Sequence, residues 1–169
     1  SAMSPLLGAK RQAFVFEGEL GNQRVRLDRR RIVQVLMNLV SNAHKYSPAG
    51  TTITMEGQID EDNLQVSVTD QGIGISEDDQ ARLFTKFFRV DNEATRSVGG
   101  TGLGLSITKG IIETHGGTIS VQSVIGQGTR FSFTIPTAMP KAVAEIKMAA
   151  SPAPVAKSFK QPAMGLGTF

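Results

Sequence analysis

Four of the six residues from Gly99 to Gly104 are glycine, in the run Gly99-Gly100-Thr101-Gly102-Leu103-Gly104-Leu105. The run leads directly into a helix that the sequence predicts from about Gly102 to His115, ended by Gly116-Gly117. Glycine gives up more conformational freedom on folding than any other residue, so this density is costly in a mere connection. At a helix start it has a use. Free backbone amides and the positive end of the helix favour an anion, and a triphosphate suits such a loop. The plain alternative is a flexible loop before an ordinary helix. Neither GxGxxG nor GxxxxGK[ST] occurs, because Gly100, Gly102 and Gly104 are each two apart.

Two earlier motifs give the loop company. Asn38 and Asn42 stand four apart on a predicted helix and so share one face. Their carbonyl oxygens are hard ligands of the kind Mg2+ accepts, with water and phosphate oxygens completing its shell. Alone, the pair would read as the solvent side of an amphipathic helix. Asp70 ends a predicted strand and precedes Gly72 and Gly74 in Asp70-Gln71-Gly72-Ile73-Gly74-Ile75. Its ionised carboxylate accepts hydrogen bonds, adenine offers an exocyclic amino donor, and the two glycines let backbone approach a ring. Alone, it would read as an Asp-x-Gly turn.

Leu83–Arg89 holds Phe84, Phe87 and Phe88, which read as core and lid-base packing rather than a stacking platform. Arg89 reads either as a contact to a terminal phosphate, where it would stabilise charge during transfer, or as a surface ion pair. The polar stretch from Asp91 to Val98 reads as a lid ordered by nucleotide. Of the two histidines, His115 suits a helix C-terminus. His44 falls in the asparagine helix with no adjacent acid to orient it, and both read as structural.

Around these motifs strands and helices alternate. Phe14–Glu17 and Val25–Leu27 read as a strand pair around a turn at Gly21-Asn22. Asp28 is placed to cap a helix running to about Tyr46, with Ile32, Val35, Leu36, Leu39, Val40 and Ala43 at helical spacing. Ser47-Pro48-Ala49-Gly50 stops it. Thr52–Glu56 and Leu64–Val68 read as strands, and Ser76 caps a short acidic helix. Thr118–Ser123 and Thr129–Ile135 read as a closing hairpin. The fold expected is an α/β two-layer sandwich, a mixed sheet of about five strands with three helices on one face.

Composition narrows the partners. The chain of 169 residues has no cysteine, which excludes disulfides and cysteine-ligated metal. Its net charge of +3 belongs to the tail from Thr137 onward, which has four lysines and one glutamate. The residues before it hold 14 basic and 14 acidic side chains, so charge gives no support for a nucleic-acid partner. Ser1-Ala2-Met3 reads as a cloning remnant, residues 4–136 as the domain, and residues 137–169 as a linker or extension. No apolar run approaches the roughly 20 residues needed to span a bilayer, and no signal peptide is read.

Taken in order, these motifs make the chain resemble the catalytic, ATP-binding domain of bacterial sensor histidine kinases, in the superfamily that includes gyrase B, MutL and chaperone ATPases. Asn38–Tyr46 is similar to that family's N box, Asp70–Ile75 to its G1 box, Leu83–Arg89 to its F box and Gly100–Leu105 to its G2 box. Gly126-x-Gly128-Thr129-x-Phe131-x-Phe133 is similar to its last hairpin. The resemblance covers about Phe14 to Pro136 and implies a Bergerat-type fold binding ATP with Mg2+. It implies Asn42 as principal metal ligand with Asn38 beside it, Lys45 and Tyr46 near phosphates and nucleotide, and Asp70 on adenine. Gly72, Gly74, Ile75, Phe84, Gly100, Thr101, Gly102, Leu103, Gly104, Leu105 and Thr129 are implied around the nucleotide, with Arg89 and Asn38 as catalytic residues.

In the ATPase and serine-kinase branches of that superfamily a glutamate usually stands four residues before the metal asparagine, as general base. Here the position is Asn38, which takes no proton at neutral pH. The resemblance therefore implies transfer of the γ-phosphate to a strong nucleophile such as neutral imidazole. No acceptor-histidine motif and no dimerisation hairpin are read before Phe14, so the acceptor is expected on a separate dimerisation domain, with a response regulator reached through the parent kinase. The fragment itself is expected to be monomeric and cytoplasmic, whether or not the parent is membrane-anchored. A dimerising ATPase and a non-catalytic nucleotide-binding module are the competing readings.

Overall fold

The computed structural model describes residues 10–19, 25–60, 62–91 and 99–137. The longest helix, α1 (Arg29–Tyr46), starts where Asp28 accepts hydrogen bonds from the Arg30 and Arg31 amides, so the carboxylate satisfies donors that the first turn leaves open. Its buried stripe, Ile32, Val35, Leu39, Val40 and Ala43, is the one the periodicity requires. α1 follows β1 (Ala13–Glu19) and precedes β2 (Thr52–Ile59) and β3 (Asn63–Asp70). The short α2 (Glu77–Arg82) is capped by Ser76, whose hydroxyl accepts from the Asp79 amide and donates to its carboxylate. Then come α3 (Gly104–Thr114), β4 (Thr118–Val124) and β5 (Gly128–Pro136).

The strands form one mixed sheet in the order β1-β2-β3-β5-β4. β1 and β2 are parallel and the other pairs antiparallel. The expected strand at Val25–Leu27 is absent. Those residues lead into α1 as extended chain, and Val25 and Leu27 pack against the core. The reason is topological. A parallel pair needs a long crossover, and α1 supplies it between β1 and β2, so β1 takes its partner from the far side of the helix. The turn expected at Gly21-Asn22 lies outside the described residues.

Pairing register assigns the two faces. Ile53, Val68, Phe131, Phe133 and Ile135 point towards α1 and α3, where they meet Val35, Leu39, Ile111 and Ile112 in one core. The opposite face is polar. There Arg130 Nη1 lies 2.6 Å from Glu56 Oε2, and Ser67 Oγ donates to the same oxygen. Helices on one side of a five-stranded sheet make the expected two-layer sandwich. α3 begins at Gly104, two residues later than expected, because Gly102 has φ +71° and cannot be a helical residue.

His115 is structural, as expected, but not through charge. Its Nδ1 donates to the Ile111 carbonyl at 2.7 Å and its Nε2 accepts from the Asp28 amide at 3.0 Å, which makes the ring neutral. It ties the end of α3 to the start of α1. Among the described residues no helix is long and apolar enough to cross a membrane.

Candidate functional site

A cavity opens between the asparagine face of α1, the ends of β3 and β5, and the start of α3. It is lined by Asn38, Asn42, Lys45, Tyr46, Asp70, Gly74, Ile75, Arg89, Gly100, Thr101, Gly102, Gly104, Leu105 and Thr129 among the residues singled out from the sequence. Motifs spread over about ninety positions of sequence therefore converge on one space. Gly72, Phe84 and Leu103 are not among the lining residues. The Gly72 amide donates to Asp70 Oδ1 at 2.8 Å, and the Phe84 ring packs edge-on against Phe131, which does line the cavity, with centroids 6.4 Å apart. Ile73, Leu83, Phe88, Val90 and Phe131 also line it and were not singled out as site residues. Alternation along β5 marks Phe131 as inward-facing, but not as the residue at the cavity's edge.

Asn38 and Asn42 share a helix face and differ in their bonding. Asn38 Nδ2 donates to Thr108 Oγ1 at 2.9 Å, a buried hydroxyl of α3, so the amide ties the two helices together. Its Oδ1 lies against Gly104, where an added Cβ would come within 2.5 Å. Glycine at the start of α3 is thus required by close approach. The Asn42 side chain has no hydrogen bond among the described residues and lines the cavity with its oxygen available.

Asp70 is buried, at 6% exposure. Burial pushes its pKa above the ordinary carboxylate value, and the Gly72 amide, the Thr129 backbone and the Ser47 hydroxyl oppose that shift without cancelling it. Ser47 Oγ is 3.5 Å away, at the edge of bonding distance. Such a carboxyl gains from a donor brought by a ligand.

The F-box segment meets the glycine loop through backbone. The Phe87 amide donates to the Gly102 carbonyl at 3.0 Å, and Gly102, with its positive φ, leaves no room for a side chain against Phe87. Phe87 itself has φ +64° and is 72% exposed, so it is not core packing, contrary to expectation. Phe88 is half-buried under the Arg82 guanidinium, 4.6 Å from its ring centroid. Arg89 Nη1 donates to the Gly100 carbonyl at 3.0 Å, which holds its head beside the loop. The lid expected at Asp91–Val98 lies outside the described residues from residue 92 onward.

These residues fit a magnesium nucleotide. A buried carboxylate at one end could receive a base amine, bare backbone at a helix start could receive phosphates, and an unbonded carboxamide oxygen lies on the same cavity. Among the described residues no three His, Cys, Asp or Glu side chains gather into a metal cage. A cation that keeps water and phosphate oxygens as ligands, as Mg2+ does, needs none.

The family model described as histidine kinase-, DNA gyrase B- and HSP90-like ATPase matches residues 27–139. The chain belongs to this family. Sensor histidine kinase WalK of Bacillus subtilis (strain 168) is 46% identical over 114 residues, 66% of this chain and 19% of WalK. The chain thus spans about a fifth of that relative's length. The nucleotide-free catalytic domain of histidine kinase ThkA superposes with a TM-score of 0.70 at 34% identity, covering 80% of this chain and 87% of that one. Full-length ShkA in complex with AMPPNP superposes at 0.71 and 31% identity, covering 82% of this chain and 28% of that one. The family's ATP-binding sandwich is the fold described above, and the chain is a catalytic domain of the histidine kinase type.

Proposed function

We propose that this chain binds Mg-ATP and donates the γ-phosphate to a histidine on a separate dimerisation domain, as the catalytic part of a two-component sensor kinase. One observation carries the reading: Asp70, Asn42 and the glycine start of α3 open on the same cavity. In it, Asp70 accepts from the adenine amino group. Asn42 offers its carbonyl oxygen to the metal, with Asn38 fixed beside it by Thr108. The amides of Gly100–Leu105 and the positive end of α3 take the phosphates. Lys45 and Tyr46 flank them, Thr129, Ile75 and Phe84 shape the base end, and Arg89 serves the terminal phosphate from its place beside Gly100.

Mg2+ would supply charge neutralisation between phosphate oxygens. The chain's own residues position the nucleotide and need form no covalent bond. The acceptor imidazole brings the electron pair that forms the new N–P bond, and the bond to ADP breaks. No side chain here has to remove a proton. That matches Asn38, whose amide already donates to Thr108 and cannot act as a base. Residues 4–136 are the catalytic unit in this reading, and residues 137–169 an extension. The unit works in the cytoplasm, where ATP is, and reaches a response regulator through the parent kinase.

The experiment mixes this chain with a separately produced dimerisation domain and γ-labelled Mg-ATP. Acid-labile, base-stable label on the dimerisation domain is the expected result. ATP bound by the folded chain with no phosphohistidine formed on any histidine-kinase dimerisation domain supplied would overturn the transfer step.

A further inference from the structure

The segment that enters β1 grips the end of the nucleotide helix from outside the site. Lys10 Nζ donates to the carbonyl oxygens of His44 at 2.8 Å, Lys45 at 3.0 Å and Ser47 at 3.1 Å. These include carbonyls that the last turn of a helix leaves without intrahelical partners, and an ammonium there also suits the negative end of the dipole. Gln12 is buried and sends Nε2 to the carbonyls of Pro48 at 3.0 Å and Ser47 at 3.2 Å. Its Oε1 lies 2.6 Å from His44 Nδ1. The Pro48 and Ser47 carbonyls only accept, so they decide which way the Gln12 amide faces; Oε1 in turn only accepts, so the imidazole proton sits on Nδ1. Backbone bonds complete the grip, from the Gly50 amide to the Lys10 carbonyl and from the Ala13 amide to the Thr51 carbonyl, both 3.0 Å.

The gripped carbonyls adjoin the site. Asn42 is less than one turn back along α1, and Tyr46 lies between the gripped residues. The Tyr46 carbonyl accepts from the Ile73 amide at 3.3 Å, and Ser47 Oγ faces Asp70. The 2.6 Å contact with Gln12 Oε1 commits the His44 Nδ1 proton to Gln12. This accounts for a histidine that the sequence left without a role, and it takes Nδ1 out of use as a phosphate acceptor.

We infer that Lys10, Gln12 and His44 are positioning residues for Asn42, Tyr46 and Asp70, a clamp through which the chain ahead of β1 sets nucleotide affinity. The inference rests on the Mg-ATP reading above. In a kinase of that plan, chain arriving from an upstream domain must pass Lys10, so a change in its path is felt at the metal-binding turn of α1.

Calorimetry of the whole chain with Mg-AMPPNP tests it. Lys10→Met should weaken binding about tenfold, the scale on which partners that orient a ligating group act. Lys10→Arg should restore it, because a guanidinium donates to the same carbonyls. Ile135→Val, a core change at the far end of the sheet, should bind as the wild type does while melting lower. Nitrogen NMR of the wild type should show His44 as the Nδ1–H tautomer. Unchanged affinity in Lys10→Met, no rescue by arginine, or an Nε2–H tautomer would each overturn the clamp. Absence of binding by the wild type would instead remove the nucleotide reading on which it stands.

Discussion

In the proposed reading Asp70 carries the adenine end of the site, and it does so at a cost to the fold. Its pKa is raised, first by burial, over the opposing bonds from Gly72, Thr129 and Ser47. A group with a raised folded pKa adds stability that is fully present below its unfolded value of 3.8 and is lost as pH rises through the folded value. At neutral pH the ligand-free domain therefore holds a carboxylate it would rather protonate. An amino donor from the base favours the ionised form, so nucleotide affinity should weaken as pH falls into the range of the raised value. Asp70→Asn should keep or raise the melting temperature and abolish ATP-over-GTP selectivity, read by thermal melts and by titration with both nucleotides; undiminished selectivity would place the base elsewhere. Asp70, Asn38 and Asn42 were legible in the sequence because each lies in a short motif whose spacing has a chemical meaning. Gln12 and His44 were not, because they meet across 32 positions and act on carbonyls, which any residue can offer.

At the level of elements, the start of α3 shows how stability and binding separate. Alanine is a better helix former than glycine by about 0.8–1 kcal/mol, so Gly104→Ala should stiffen α3. Its new Cβ would meet Asn38 Oδ1 at 2.5 Å, however, and Asn38 is held in place by its bond to Thr108. Displacing Asn38 costs a hydrogen bond of about 1 kcal/mol, which offsets the gain. The melting temperature should therefore move little while Mg-nucleotide affinity drops clearly. Equal affinity in calorimetry would show that Asn38 need not lie where it does. Elements of this kind were readable where a cap or a period announced them: Asp28 and Ser76 at helix starts, and the apolar stripe of α1. The partner of β1 was not, because Val25 and Leu27 alternate with polar residues whether they pair as a strand or simply dock on the core. Phe87 misled for a similar reason. Three phenylalanines in five positions resemble core packing, yet Phe87 is exposed and its backbone amide holds Gly102.

On the scale of the whole molecule, the cavity joins parts that otherwise touch mainly through the core: α1, the ends of β3 and β5, the F-box turn and the loop before α3. A ligand that bridges them binds the folded state alone and must stabilise it. At a hundredfold excess over its dissociation constant the gain is about 2.7 kcal/mol, which for a domain of this size raises the melting temperature by about 5–10 °C. In the proposed reading this shift needs Mg2+ as well as ATP, because Asn42 meets the phosphates through the metal. The same mixture should release very little inorganic phosphate. Hydrolysis requires a group to take a proton from water, and the position beside the metal asparagine holds an amide already donating to Thr108. Melting curves with ATP, with Mg2+ and with both, run beside a phosphate-release assay, read these two features together. A shift that ignores Mg2+ would remove Asn42 from the metal site, and steady phosphate release would move the chain from phosphotransfer towards an ATPase that uses some other base.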